Sequence, residues 1–274
     1  MDIRLIALDL DGTTMRSNNT LSPYNQKAIE DAIERGVEVV VASGRAFTSL
    51  PKEVMDICGL RYAISSNGAH ISDLRREGFI YSNYINAHTV DEAIRIADRE
   101  NLMLEAFVDG RPYIERDLYE DVRIRGSMYR DSDYVLNTRT PVEDLLSFMT
   151  KHRNCLENIN FFFYDDKRLE EMKPQIYGLP NCHVTSSVRN NIEVGGAHST
   201  KAYALQQLSE SLGILPEQIM SFGDAGNDIP MIQFAGFGVA MGNAWDEVKE
   251  AADYVAPSNN EDGVGKTIRK FILD

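Results

Sequence analysis

The feature that most constrains this chain is its first apolar run, Ile3 to Leu10 (IRLIALDL), which ends among the carboxylates Asp9 and Asp11. Apolar residues at successive rather than alternate positions mark a strand covered on both faces, the habit of a parallel sheet layered between helices. Carboxylates are out of place in such a strand unless they stand where it leaves the sheet. In open α/β sheets that place, beyond the carboxyl ends of the strands, is where ligands gather.

The same style recurs. Ser22-Pro23 supplies an N-cap and a first-turn proline, Ala28, Ile29, Ala32 and Ile33 form an apolar helix face, and Gly36 closes the helix. A second apolar run, Val37 to Ala42, ends in Ser43-Gly44-Arg45, and a third, Tyr62 to Ser65, ends in Asn67-Gly68. Right-handed crossovers make these strands parallel neighbours. From about Tyr84 the pattern changes to a helix over 89–101, short strands over 102–107 and 112–115, a helix over 141–152 and an aromatic strand over 160–164. Beyond Ser187 the first style returns, with a helix over 200–212, strands over 219–222 and 237–240, and a last helix through 266–272. The predicted fold is α/β: a doubly wound, mainly parallel, Rossmann-like core sheet from residues 1–83 and 188–274, with an α+β domain, 84–187, inserted into it.

Composition narrows the partners. With 42 acidic against 28 basic residues and a formal charge of −14, the 274-residue chain is a poor match for nonspecific nucleic-acid binding, while one small anionic molecule stays possible. Cys58, Cys155 and Cys182 are far apart and form no CxxC pair, so they read as buried free thiols. Asp2, Asp9 and Asp11 interrupt any signal-peptide core, and no segment reaches the roughly 18 apolar residues of a membrane span. The expected setting is cytoplasmic, without a membrane or an obligate protein partner.

The residues that end the strands carry the chemistry: Asp9, Asp11 and Thr13 in DLDGT, then Ser43-Gly44-Arg45, then Asp224, Asn227 and Asp228 in GDAGND, with Lys201 opening the helix before that last strand. Asp9, Asp11, Asp224 and Asp228 at one site would repel one another and need a cation; oxygen ligands favour a hard one, and Mg2+ is the usual choice where phosphates are handled. Lys201, Ser43 and the Gly12 and Gly44 backbone would then face a phosphate. Each fragment alone has a plainer reading, a solvated turn or a helix start, but three with complementary charge are harder to dismiss. Gly265-Lys266-Thr267 lacks the glycine of a P-loop at Asn260, and the five histidines show no metal-ligand spacing, His198 standing out only for its nearness to Lys201. Phe161 to Tyr164 reads as core packing.

In combination, DLDGT at 9–13, ASGR at 42–45, SNGA at 66–69, Lys201 in STKAYAL, GDAGNDIPMI at 223–232 and AMGNA at 240–244 resemble the haloacid dehalogenase superfamily. More specifically, they resemble the Cof-like phosphatases with an inserted α/β (type IIB) cap. The resemblance implies that Asp9 is the nucleophile that becomes an aspartyl phosphate and that Asp11 is the general acid and base. Ser43, Gly44, Lys201 and Asn227 would hold the phosphoryl group, and Mg2+ would sit on Asp9, Asp224 and the Asp11 carbonyl, with Asp228 assisting. Arg45 and Asn67 resemble substrate-side contacts, though Arg45 reads equally as an exposed helix-start cation; Asn243 reads as a cap for the helix at Ala244. Ala202 and Thr14 depart from the usual glycine and apolar residue. The implied activity is Mg2+-dependent hydrolysis of small phosphate monoesters, sugar phosphates foremost. A phosphosugar mutase is the enzymatic rival, on which cap basicity at Arg111, Arg116, Arg123, Arg125 and Arg130 would bear. A phospho-accepting regulatory module is the non-catalytic rival, disfavoured by the inserted cap.

Overall fold

A computed structural model describes residues 1–127 and 131–274. The chain divides into two compact units, one of residues 1–44, 50–82 and 200–274 and the other of residues 45–49 and 83–199. Its strands are β1 (Leu5–Leu8), β2 (Glu38–Ala42), β3 (Tyr62–Ser65), β4 (His70–Asp73), β5 (Tyr81–Ser82), β6 (Met103–Val108), β7 (Arg111–Glu115), β8 (Thr140–Val142), β9 (Leu156–Phe162), β10 (Cys182–Thr185), β11 (Asn191–Gly196), β12 (Ile219–Gly223), β13 (Phe237–Ala240) and β14 (Tyr254–Val255).

The first unit is built on the sheet β14-β13-β12-β1-β2-β3-β4-β5. Pairing is parallel from β14 through β3, and β4 and β5 add an antiparallel edge. Leu5 and Ala7 pack with Val40, Ala42 and Ile64 against Ala204, Leu205 and Leu208 of the helix Lys201–Leu212. Ile6, Leu8, Val39 and Val41 alternate to the opposite face and are equally buried, as the apolar runs require. The helix Pro23–Glu34 starts as expected, its Ser22 hydroxyl accepting the Asn25 amide.

The second unit has the sheet β10-β11-β9-β6-β7-β8, antiparallel apart from the β7–β8 pair. One face carries the apolar core: Leu104, Ala106, Ile159, Phe161, Ile192 and Val194 pack with Val90, Ala93, Met149 and Met172 from the helices Ala87–Glu100, Leu145–Lys151 and Asp166–Tyr177. A smaller cluster of Ile114, Val122, Val135 and Phe162 lies with the helices Arg116–Arg125 and Ser132–Thr138.

Several expectations need correction. The boundary at 187/188 falls too early, because β11 pairs with both β9 and β10 and takes residues through Ser199 into the second unit. Residues 45–49 also belong to that unit. Pro141 and Val142 form an edge strand, and the helix starts only at Leu145, where Asp144 accepts the Ser147 amide. Cys58 is exposed and the other two thiols are half-buried. Gly265-Lys266-Thr267 lies within the helix Gly263–Ile268. No helix among the described residues is long and apolar enough to cross a membrane.

Candidate active site

Strand β1 ends at Leu8, and the chain turns at once: the Leu10 carbonyl accepts the amides of Thr13 and Met15, and the Asp9 carbonyl that of Thr14. Thr14 also donates its hydroxyl to the Asp9 carbonyl at 2.6 Å, which gives this departure from an apolar residue a use inside the loop. Gly12 takes φ 80°, and a Cβ there would lie 2.3 Å from Asp224 Oδ2, so only glycine lets the two loops close on each other. The extended strand therefore stops short of both Asp9 and Asp11. Asp9 is buried at 5% exposure whereas Asp11 is exposed.

Asp9, Asp224 and Asp228 each present a carboxylate oxygen within 4.8 Å of the others. Lys201, 1% exposed, donates from Nζ to Asp9 Oδ1 at 2.6 Å and to Asp228 Oδ1 at 2.7 Å. Asp228 Oδ2 takes the amides of Asp224 and Ala225 at 3.0 and 3.1 Å, and Asp224 Oδ1 takes the Thr13 hydroxyl at 2.9 Å. One lysine thus pairs with two of the three carboxylates. Burial, with the Asp228 charge behind it, raises the Asp9 carboxyl well above the ordinary range against the pull of Lys201. The same two causes push Asp224 up to about 7. Burial works against the Lys201 charge, but Asp228 and Asp9 outweigh it and hold the ammonium ionised. An all-oxygen donor set with unbalanced negative charge suits a hard divalent cation.

A second group of residues lies at the ends of β2 and β3. Ser43, fully buried, accepts the Asn67 amide on its carbonyl at 3.1 Å. The Asn67 side chain accepts Asn227 Nδ2 at 3.0 Å, and a Cβ on Gly44 would come within 3.0 Å of Asn67 Oδ1. Ser66, Asn67 and Gly68 have φ of 50°, 54° and 96°, a run of left-handed backbone held at the site. A Cβ on Gly68 would meet the Thr200 carbonyl oxygen at 2.2 Å, so the loop presses on the start of the helix that carries Lys201.

The structure therefore joins Asp9, Asp224, Asp228 and Lys201 in one cluster, and Gly44, Ser43, Asn67 and Asn227 in another linked to it through the Asn227-Asp228 peptide. It leaves the Asp11 carboxylate out of the buried trio. Arg45 departs from both groups: it belongs to the second unit, where its guanidinium stands 4.6 Å from the Tyr134 ring centroid and donates to the Ser49 carbonyl. Asn243 does not cap a helix. It donates to the Gly12 carbonyl at 2.8 Å and accepts the Asn259 amide, tying the loop after β1 to the loop after β13. Thr13 and Asn243 support the site by contacts between distant loops, and their only sequence signal was membership of the motifs DLDGT and AMGNA. His198 is exposed. Phe161 and Phe163 are core residues and Tyr164 is exposed.

A parallel sheet with buried carboxylates and one lysine at its carboxyl end, plus a second α+β unit, defines a phosphoryl-handling hydrolase fold. The model of the haloacid dehalogenase-like hydrolases matches residues 6–268, and the chain belongs to that family. It is an enzyme of the phosphatase kind, a phosphoric monoester hydrolase. Among its relatives, the chain is 32% identical over 275 residues to the 5-amino-6-(5-phospho-D-ribitylamino)uracil phosphatase YcsE of Bacillus subtilis, covering 100% of this chain and 97% of that one. A solved haloacid dehalogenase-like hydrolase from B. subtilis superposes with a TM-score of 0.83 at 28% identity, covering 98% and 100% of the two chains. The fold is also shared, with a TM-score of 0.84 at 24% identity over 99% and 100% of the chains, by a subclass IIB sugar phosphatase.

Proposed function

We propose that this enzyme is a Mg2+-dependent phosphatase of small hydroxylated phosphate monoesters, sugar or sugar-alcohol phosphates, acting through an aspartyl phosphate on Asp9. The observation that carries the reading is the cluster of three carboxylates around the single buried Lys201. The relatives named for a ribityl phosphate and for sugar phosphates support the substrate class.

In this reading Asp9 attacks phosphorus with the carboxylate oxygen that Lys201 does not hold, and the bond from phosphorus to the ester oxygen breaks in line. Asp11, exposed at the mouth of the loop, gives its proton to the departing alkoxide, then takes one from the water that attacks the aspartyl phosphate, releasing phosphate and restoring Asp9. Lys201, Asn227, Ser43 and the Gly44 backbone hold the phosphoryl oxygens, where charge builds in the transition state. Asp9, Asp224 and the Asp11 carbonyl, with Asp228 beside them, would hold Mg2+, which would supply the positive charge that lets an anionic nucleophile meet an anionic ester. The second unit, as a cap, sets specificity. Of the arginines on which the mutase rival rests, Arg116, Arg123 and Arg125 are ion-paired with Glu143, Glu120 and Asp121 at the surface, which favours hydrolysis. Arg130 lies outside the described residues.

The test is phosphate release from a panel of sugar phosphates, sugar-alcohol phosphates and nucleotides, with Mg2+ and with a chelator. Multiple turnovers on the sugar-type esters, lost on chelation and restored by Mg2+, are expected. Full activity in chelator would refute the metal assignment, and release from nucleotides alone would refute the substrate class.

A further inference from the structure

Asparagine side chains take three of the carbonyls in the loop after β1. Asn243 Nδ2 donates to the Gly12 carbonyl at 2.8 Å, Asn25 Nδ2 to that of Thr14 at 3.2 Å and Asn259 Nδ2 to that of Met15 at 2.9 Å. Asn25 and Asn259 are buried, and so are Thr14 and Met15 beneath them. Carbonyls in a curled loop lack the ladder partners of a strand and must find others once buried. A neutral amide supplies one without adding charge beside the carboxylates of the site. All of these residues belong to the first unit.

Asn259 does more than fill one such place. Its backbone amide donates to Asn243 Oδ1 at 2.9 Å, so the residue that holds Met15 also holds the side chain that holds Gly12. The turn that carries it is well tied. Ser258 gives its amide and hydroxyl to Glu261 Oε2 at 3.1 and 2.7 Å, and Asp262, at φ 61°, is ion-paired with Arg16 at 2.8 Å. Asn260 accepts the Ser17 amide at 3.1 Å and donates to the Ser17 hydroxyl at 2.9 Å. Asp11 lies within the backbone that these contacts grip. It precedes Gly12 and forms an isolated bridge with Met15, whose amide is bound at 2.9 Å to the carbonyl of Leu10 on the other side of Asp11.

We infer that Asn259 is a positioning residue for the phosphatase reaction, fixing the backbone of residues 10–15 so that the Asp11 carboxyl is aimed at the leaving oxygen of the ester. The aim of a side chain is set first by the backbone that carries it, and a misplacement of about 1 Å can cost about 10²-fold in rate. The inference rests on the proposed role of Asp11 as the acid.

The experiment measures kcat/KM, which reports formation of the aspartyl phosphate, on two esters. Ribose 5-phosphate has an alkoxide leaving group that needs a proton, and 4-nitrophenyl phosphate a phenolate that leaves without one. The wild-type enzyme is compared with Asp11→Asn, Asn259→Leu, Asn243→Ala and Ile219→Val, the last a change in the buried core at the start of β12. Asp11→Asn sets the scale by lowering the ratio of the ribose ester to the nitrophenyl ester. Asn259→Leu should lower that ratio about 10-fold or more and Asn243→Ala should move it the same way. Ile219→Val should lower the thermal midpoint and leave the ratio unchanged. Equal loss on both esters in the asparagine variants would mark purely structural residues and overturn the inference, as would no loss. If Asn259→Leu does not fold, Asn243→Ala, a change at the surface, decides by the same ratio. A ratio that Asp11→Asn leaves unchanged removes the acid role of Asp11, and the inference falls with that reading. A wild-type enzyme that releases phosphate from neither ester overturns the proposed reaction and the inference together.

Discussion

At the residue scale the site is a problem of uncompensated charge. Lys201 satisfies one oxygen of Asp9 and one of Asp228, and Asp224 is left to a threonine hydroxyl. Burial and the Asp228 charge push Asp224 up to about 7, against an ordinary 3.8. Between those values the folded protein holds a proton that the unfolded chain has already released, so stability falls as pH rises through that window. Mg2+ binds the ionised form and should offset the loss. Thermal midpoints from pH 5 to pH 8 should therefore decline more steeply without Mg2+ than with it, the stabilisation by Mg2+ being larger at pH 8. A gap that does not depend on pH would show that the cluster does not hold the ion. The identities of these residues were legible in DLDGT and GDAGND because carboxylates at the end of an apolar run have no other comfortable place. The roles of Thr14 and Asn243 were not, since each acts on the backbone carbonyl of a loop whose conformation only the folded chain defines.

At the scale of elements, the loop after β3 and the start of the helix Lys201–Leu212 position each other. Gly68 has φ 96°, and any Cβ there collides with the Thr200 carbonyl. Gly68→Ala should lower stability by about 1 kcal/mol or more, from the backbone conformation alone. It should also reduce kcat, because moving Thr200 moves Lys201 off Asp9. Denaturant midpoints and steady-state rates on one preparation check both; a variant that is less stable but fully active would show that the helix start is not what sets Lys201. The core elements were legible because buried parallel strands and capped helices leave strong local patterns. Asp166–Tyr177, with Pro174 inside it, and the strands β10 and β11 leave weak ones, and the polar residues buried on β9 and β11 interrupt the apolar pattern that would mark those strands. The end of β1 was misjudged by two residues because Leu10 is apolar and buried, though it lies in a turn.

At the scale of the whole molecule, two units are cut from one chain at points that composition does not mark. Residues 45–49 belong with 83–199 although β2 and β3 on either side of them belong to the first sheet. No hydropathy pattern announces that excursion; it is recorded in contacts such as Thr48 with Gly110 and Arg45 with Tyr134. Ser199 closes the second unit by donating to Asn83, a pairing 116 residues apart that no local signal could reveal. The chemistry, by contrast, was readable from short motifs, because the phosphoryl group demands the same charges wherever the chain supplies them. The account stands on Asp9 as the residue that carries the phosphoryl group. The direct measurement is acid quenching during turnover, followed by peptide mapping, in the wild-type enzyme, Asp11→Asn and Asp9→Asn. With 4-nitrophenyl phosphate, whose leaving group departs without a proton from Asp11, Asp11→Asn lacks only the base that activates water and should accumulate a phosphoryl group on the peptide that holds Asp9, with kcat lowered about 10²-fold or more, and Asp9→Asn should show neither label nor turnover. Turnover retained in Asp9→Asn, or a label on any other peptide, would contradict it.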